Sequence, residues 1–142
     1  MNSPLFLRKG FYFNQASFPY FVTQSSGFGN PEAWGRWSQT NDGQAISLTF
    51  VKPLPKQFFL LLRAKGFGPN IGAPTTIKIG STTHQIILSD QMQLFTLSFT
   101  LSKPSNTVQI IPPHAISPQQ LDPRNADTRK IGIGMQSMAF GF

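Results

Sequence analysis

The sequence contains no cysteine, which excludes disulfides, thiolate nucleophiles and cysteine-held metals. Its only histidines, His84 and His114, stand apart from each other, and neither has a carboxylate at ligand spacing, so zinc and cupin-like centres lack a donor set. Acids are scarce, with five Asp and Glu in 142 residues. Only Asp122 and Asp127 lie close together, in a stretch where carboxylates serve as caps for loop backbone rather than as a calcium or acid–base pair. There is no nucleophile elbow and no phosphate-cradling glycine loop. No catalytic residue, metal or cofactor is therefore expected. Arg8, Lys9 and Asn14 interrupt the apolar positions at the start of the chain, which leaves no signal-peptide core, and no run elsewhere is long enough to span a bilayer. Direct membrane insertion is not expected.

What the chain does hold is basic and aromatic. Twelve Lys and Arg give a net charge of +7, which favours acidic partners. That charge is spread thinly, with Arg8-Lys9 and Arg129-Lys130 as the adjacent pairs, so the basic arm of a nucleic-acid binder is missing and nucleic acid is not an expected partner. Fourteen Phe accompany 12 Gly and 12 Pro, a combination of strand-favouring side chains and strand punctuation. No segment carries a sustained 3.6-residue apolar period, so any helix is a single turn. A chain of this length supports one core, and residues 1–142 are read as one domain.

Alternation locates the strands. Ile46, Leu48 and Phe50 share one face, as do Phe95, Leu97, Phe99 and Leu101. Phe58 to Leu62 is continuously apolar and predicts a central strand buried on both sides at its start, with Arg63 and Lys65 emerging on the face of Phe59 and Leu61. Residues 75–79 and 84–88 form a hairpin about Gly80-Ser81, residues 66–74 a loop, and residues 107–111 a strand ended by Pro112-Pro113. Ile131, Ile133 and Met135 line a last strand whose other face carries Gly132 and Gly134, a sign of close packing or a bulge. With residues 11–13 and 18–22 added, about eight strands predict an all-β, antiparallel, two-sheet sandwich of jelly-roll type.

Both tryptophans fall in Pro31-Glu32-Ala33-Trp34-Gly35-Arg36-Trp37-Ser38. Two readings stand. In one, Trp34, Trp37 and Arg36 form a platform for a sugar ring whose hydroxyls bond to Glu32 and Arg36. In the other, the indoles close one end of the core and Arg36 pairs with an acid. Asp127 and Arg129, two apart, face the same way on an extended segment and suit either ligand recognition or a structural ion-pair cluster. A partly buried arginine cannot shed its charge, so Arg36 is expected to find Glu32 or Asp127, bringing residues 34–37 beside residues 127–129.

The ordered series Gly27-Phe28, residues 31–38, Leu54-Pro55, Ala64, Phe67-Gly68-Pro69-Asn70, Ile79-Gly80, Ser117-Pro118 and residues 127–134 resembles an accessory β-sandwich domain of bacterial surface-polysaccharide enzymes. Such domains follow a membrane-embedded glycosyltransferase or a phosphoglycerol-transferase-like catalytic region. The resemblance covers residues 21–140; Leu121-Asp122-Pro123 stands where that family commonly has a Leu-Gly step. No catalytic residue of those enzymes has a counterpart here, and the catalytic and membrane portions are absent from this sequence. The resemblance implies a non-catalytic module in polysaccharide biosynthesis or modification. It would bind glycan or pack on a membrane-bound transferase domain, at the extracytoplasmic face of a bacterial membrane if it belongs to such an enzyme. The alternatives are a purely structural interaction domain and, third, a small jelly-roll enzyme. The candidate ligand-binding set is Glu32, Trp34, Arg36, Trp37, Asn70, Asp127 and Arg129.

Overall fold

The computed structural model describes residues 4–142. Ten strands form two antiparallel five-stranded sheets. In the first, β10 (Ile133–Gly141) lies between β5 (Gln57–Gly66) on one side and the short strands β1 (Phe11–Tyr12) and β3 (Arg36–Trp37) on the other, while β8 (Gln93–Thr100) pairs with the far side of β5. The second runs in the order β2 (Val22–Ser26), β4 (Ile46–Phe50), β9 (Thr107–Ile111), β6 (Pro74–Ile79) and β7 (Thr82–Ile87). The two helices, α1 (Phe6–Lys9) and α2 (Pro118–Leu121), are single turns, as the missing helical periodicity requires. Ser117 caps α2 through a reciprocal pair of bonds with Gln120.

The alternating residues of both sheets meet in one core, in which Leu60, Leu62, Ile77 and Ile133 have no exposed surface. Phe58 and Phe99 stack at 5.4 Å, and Phe140 reaches across to Phe50. His84 bonds to the Ser98 carbonyl, joining the edge strands β7 and β8 and closing that side of the sandwich.

Three expectations are corrected. The strand count is ten rather than about eight, and the strand that went unread is β3, whose two residues behind Gly35 carry no alternation. The segment read as a strand at 18–22 is shifted: Pro19 keeps Phe18 and Phe21 in an aromatic loop, and the strand begins at Val22 and runs through polar, exposed residues at a sheet edge. β5 is central but alternates throughout, with Phe58, Leu60 and Leu62 buried while Phe59 is 51% exposed. A continuous apolar run does not tell a twice-buried strand from one whose outer face is itself apolar and open.

The double-glycine strand holds both features its sequence suggested. The register shifts between Met135 and Ser137, placing Gln136 in a bulge where β3 gives way to β1.

Candidate functional site

Directly opposed residues of an antiparallel pair project to the same face. The register therefore assigns the outer face of the first sheet. Along β10 it shows Gly134, Ser137, Ala139 and Gly141, opposite Lys65, Arg63, Leu61 and Phe59 of β5. On the other flank Trp37 opposes Gly134, and Tyr12 opposes Ser137. The result is a trough about 20 Å long, floored by small residues of β10 and walled by aromatic and basic side chains. Tyr12 is 63% exposed. At the Phe59 end the face deepens into an open depression of about 630 Å³ bordered by Ser98, Thr100 and Phe142.

The opposite end is closed by the tryptophan turn. Glu32 and Gly35 exchange backbone hydrogen bonds of 2.7 and 3.1 Å, which fold residues 32–35 tightly and lay Trp34 across β10. A β-carbon on Gly134 would fall 2.9 Å from the Trp34 ring, so the indole lies against bare backbone. The two indoles meet edge to face at 4.8 Å, Trp37 meets Phe67 at 5.7 Å, and the Lys65 ammonium stands 4.2 and 5.0 Å from the Trp34 and Trp37 ring centres. Each such cation–π contact is worth about 1 kcal/mol. Neither tryptophan belongs to the cluster between the sheets. The reading in which they close an end of the core is thus replaced by a position on the outer face, partly open to solvent.

Arg36 goes the other way. Its strand neighbour Trp37 faces outward, so Arg36 turns inward beneath the sheet edge and is only 8% exposed. Its guanidinium meets no carboxylate. Nη1 donates to the Gly29 carbonyl at 2.8 Å and Nη2 to those of Gln15 and Ala16 at 2.8 and 3.3 Å, with the Phe18 ring 4.9 Å away. The expected pairing with Glu32 or Asp127 is corrected: loop carbonyls supply the acceptors, and a cation donating to three of them needs no acid. Burial lowers its pKa from the ordinary arginine value.

The predicted long-range contact exists through the other arginine. Arg129 donates through Nε and Nη2 to Asp127, the shortest bond being 2.7 Å, and its Nη1 lies 3.7 Å from Glu32 Oε2. Residues 127–129 and the tryptophan turn are neighbours on this account. Hydrogen bonds from Arg129 hold the Asp127 carboxyl below the usual aspartate value, and the same contact raises the guanidinium. With side chains 38 and 28% exposed, the pair is screened by solvent. Asp127→Asn is accordingly expected to cost about 0 to 1 kcal/mol in urea denaturation at neutral pH, not the larger penalty of a buried pair. Since the folded carboxyl titrates below its free value, the contribution is complete above about pH 3.9 and is lost as the pH falls through the lower folded value. The variant and its parent should converge there.

Asn70 is fully buried at the end of a short 3₁₀ turn (Gly68–Asn70). It donates to the Phe67 carbonyl and accepts from the His114 amide, so its side chain pins two loops beneath this end of the sheet. Ser38 stitches the same end: its hydroxyl accepts from the amides of Gly132 and Ile133, 3.0 and 2.9 Å away. Of the seven candidate residues, Trp34 and Trp37 front the trough, Glu32, Asp127 and Arg129 form the ion-pair cluster beside them, and Arg36 and Asn70 hold the scaffold. Sequence reasoning left Tyr12, Phe59, Arg63 and Lys65 out of the candidate site, although it set the last three on one face of a strand. The alternation of Phe11-Tyr12-Phe13, with Tyr12 opposite in sense to two phenylalanines, was the available signal.

Among the described residues no helix is long and apolar enough to cross a membrane, and no group of three or more His, Asp or Glu is placed to hold a metal.

The fold resembles that of a family 29 carbohydrate-binding module, with a TM-score of 0.62 and 12% identity over 93% of this chain and 85% of the other. It also resembles a CBM29-2 variant complexed with cellulohexaose, with a TM-score of 0.61 and 13% identity over 92 and 86% of the two chains. A third likeness is to the module BiXyn10A CBM1, at 0.57 and 10% over 96 and 98%. These likenesses define the architecture: an all-β sandwich like that of family 29 modules. In sequence, the chain is 37% identical over 125 residues to phosphoglycerol transferase I of Salmonella typhi, and equally to that of Salmonella typhimurium. The match takes in 88% of this chain and 16% of each relative, so the shared region is a small part of an enzyme. The family model described as "Domain of unknown function (DUF7024)" matches residues 6–140, and the chain belongs to that family.

Proposed function

We propose that the chain is a non-catalytic accessory module whose trough binds glycan for a larger enzyme of bacterial polysaccharide biosynthesis or modification. One observation carries this reading: Trp37, Tyr12 and Phe59 stand at intervals around a floor of Ser137, Ala139 and Gly141, which runs up to the Trp34 indole seated on Gly134. Sugar rings present C–H faces to aromatic rings and hydroxyls to the polar groups between them, and a floor without bulky side chains lets a flat chain of rings lie down. The sandwich likeness to carbohydrate-binding modules supports the reading, as does kinship to part of phosphoglycerol transferase I.

Isothermal titration and affinity electrophoresis against a glycan panel that includes cellohexaose and mannohexaose test it. Tyr12→Ala is the informative variant, since Tyr12 is exposed and leaves the core intact. A loss of about tenfold in affinity, with an unchanged melting temperature, is expected. If no glycan of the panel binds, the reading falls. The second reading, a protein-docking domain, is favoured by the 16% share of its relatives. It predicts that the trough variant weakens capture of the purified catalytic portion instead.

A further inference from the structure

Resting on that reading of the trough, we infer that its ligand is an anionic glycan, one carrying a phosphate ester or a carboxylate, and that Lys65 and Arg63 hold the acidic group. Lys65 stands over the two indoles, with no carboxylate in ion-pair distance among the described residues. The indole faces occupy one side of the ammonium and leave its other N–H donors for a ligand. Arg63 follows on the same face of β5, opposite Ser137. It is exposed, and its guanidinium takes part in no hydrogen bond or ion pair among the described residues.

The register strengthens the point. No outward position of the five strands of this sheet is occupied by Asp or Glu, so these strands bring only the two cations to the face, and the nearby carboxylates of Glu32 and Asp127 are taken up by Arg129. The hydroxyls of Tyr12, Ser98, Thr100 and Ser137 both donate and accept, and they suit the neutral hydroxyls of a sugar. Lysine and arginine only donate. Their natural complement is a group that only accepts, which a phosphate ester or a carboxylate is, and charge-assisted bonds to it are about twice as strong as neutral ones. The two cations are separated by about 7 Å along the strand, within reach of one tetrahedral or carboxylate group lying between their side-chain ends. The aromatic rings beside them would take the sugar that bears it.

Matched pairs of oligosaccharides test this: cellohexaose and mannohexaose against their 6-phosphorylated forms, and hexagalacturonate against its methyl ester. The anionic member of at least one pair is expected to bind about tenfold tighter, the phosphate and carboxylate arms telling which acid is preferred. Lys65→Met and Arg63→Met should each lower anionic affinity by a similar factor, with the methionine stem keeping the packing on the indoles. Lys78→Met on the opposite sheet should leave it unchanged. Equal binding of neutral and anionic members overturns the inference and leaves the glycan trough standing, whereas failure of every member overturns both. Binding of dextran sulfate or inorganic phosphate that is insensitive to Tyr12→Ala and Lys65→Met would mean charge attraction alone, and would also overturn it.

Discussion

Arg36→Ala is expected to lower the free energy of unfolding by about 3 kcal/mol, more than any change to the exposed charges of the same region. The guanidinium is nearly buried and donates to three carbonyls from two separate segments, Gln15 and Ala16 on one side and Gly29 on the other. Hydrogen bonds from a charged donor contribute about 1.5 to 3 kcal/mol each. The full sum is not lost, because Gln15 and Ala16 lie in an exposed loop whose carbonyls regain water. The Gly29 carbonyl lies in a buried residue and stays unsatisfied. Arg36→Lys keeps the charge but replaces a planar fork with a single ammonium that cannot reach both segments at once, so an intermediate loss of about 2 kcal/mol is expected. Urea denaturation of the three proteins measures this directly. A loss below about 1 kcal/mol for Arg36→Ala would mean that the residue acts as an ordinary surface arginine and that the carbonyl cage has no structural weight.

How far the sequence disclosed this arrangement depends on the kind of signal each residue carried. Long strands with one wet face, such as β4 and β8, were legible because alternation at period two has no other cheap explanation. Close packing on β10 was legible because glycines repeated on one face of an apolar strand imply close approach, and Trp34 approaches Gly134, while the bulge falls two residues further on, at Gln136. The nearness of residues 34–37 to residues 127–129 was expected from charge economy in an acid-poor chain, yet the contact is made just before that segment, at Glu32, and through a different arginine. Acceptors made of backbone leave no mark in a sequence, so the carbonyl cage around Arg36 was invisible and a carboxylate was put in its place. The trough was half legible. Arg63 and Lys65 were placed on the face of Phe59 and Leu61, but nothing local shows that the tryptophan turn, Tyr12 and β10 come to lie beside them. Those neighbours depend on pairing between the two ends of the chain, which period and composition do not encode.

The placement of the tryptophans in turn hangs on one glycine. Gly35→Ala is expected to cost about 3 kcal/mol and to shift the tryptophan fluorescence of the folded protein. Gly35 adopts φ +151°, a region L residues rarely occupy, and a β-carbon there would lie 2.1 Å from the Met135 carbonyl oxygen and 3.1 Å from the Gln136 Cα. Both obstacles are backbone of β10 at its bulge, so no side chain can swing aside to make room. The turn must lift off the strand or the bulge must open, and either movement carries Trp34 away from Gly134 and Lys65. Gly72→Ala separates the two contributions, since Gly72 has φ +79° but nothing within 4 Å of its would-be β-carbon. That control should show backbone strain alone, about 1 kcal/mol, with no change in fluorescence and none in glycan affinity. Gly35→Ala should exceed it by about 2 kcal/mol and weaken binding at the Trp37 end of the trough. Equal losses for the two variants would show that the close approach to Met135 does not constrain the turn, and the tight seat of Trp34 on β10 would have to be abandoned with it.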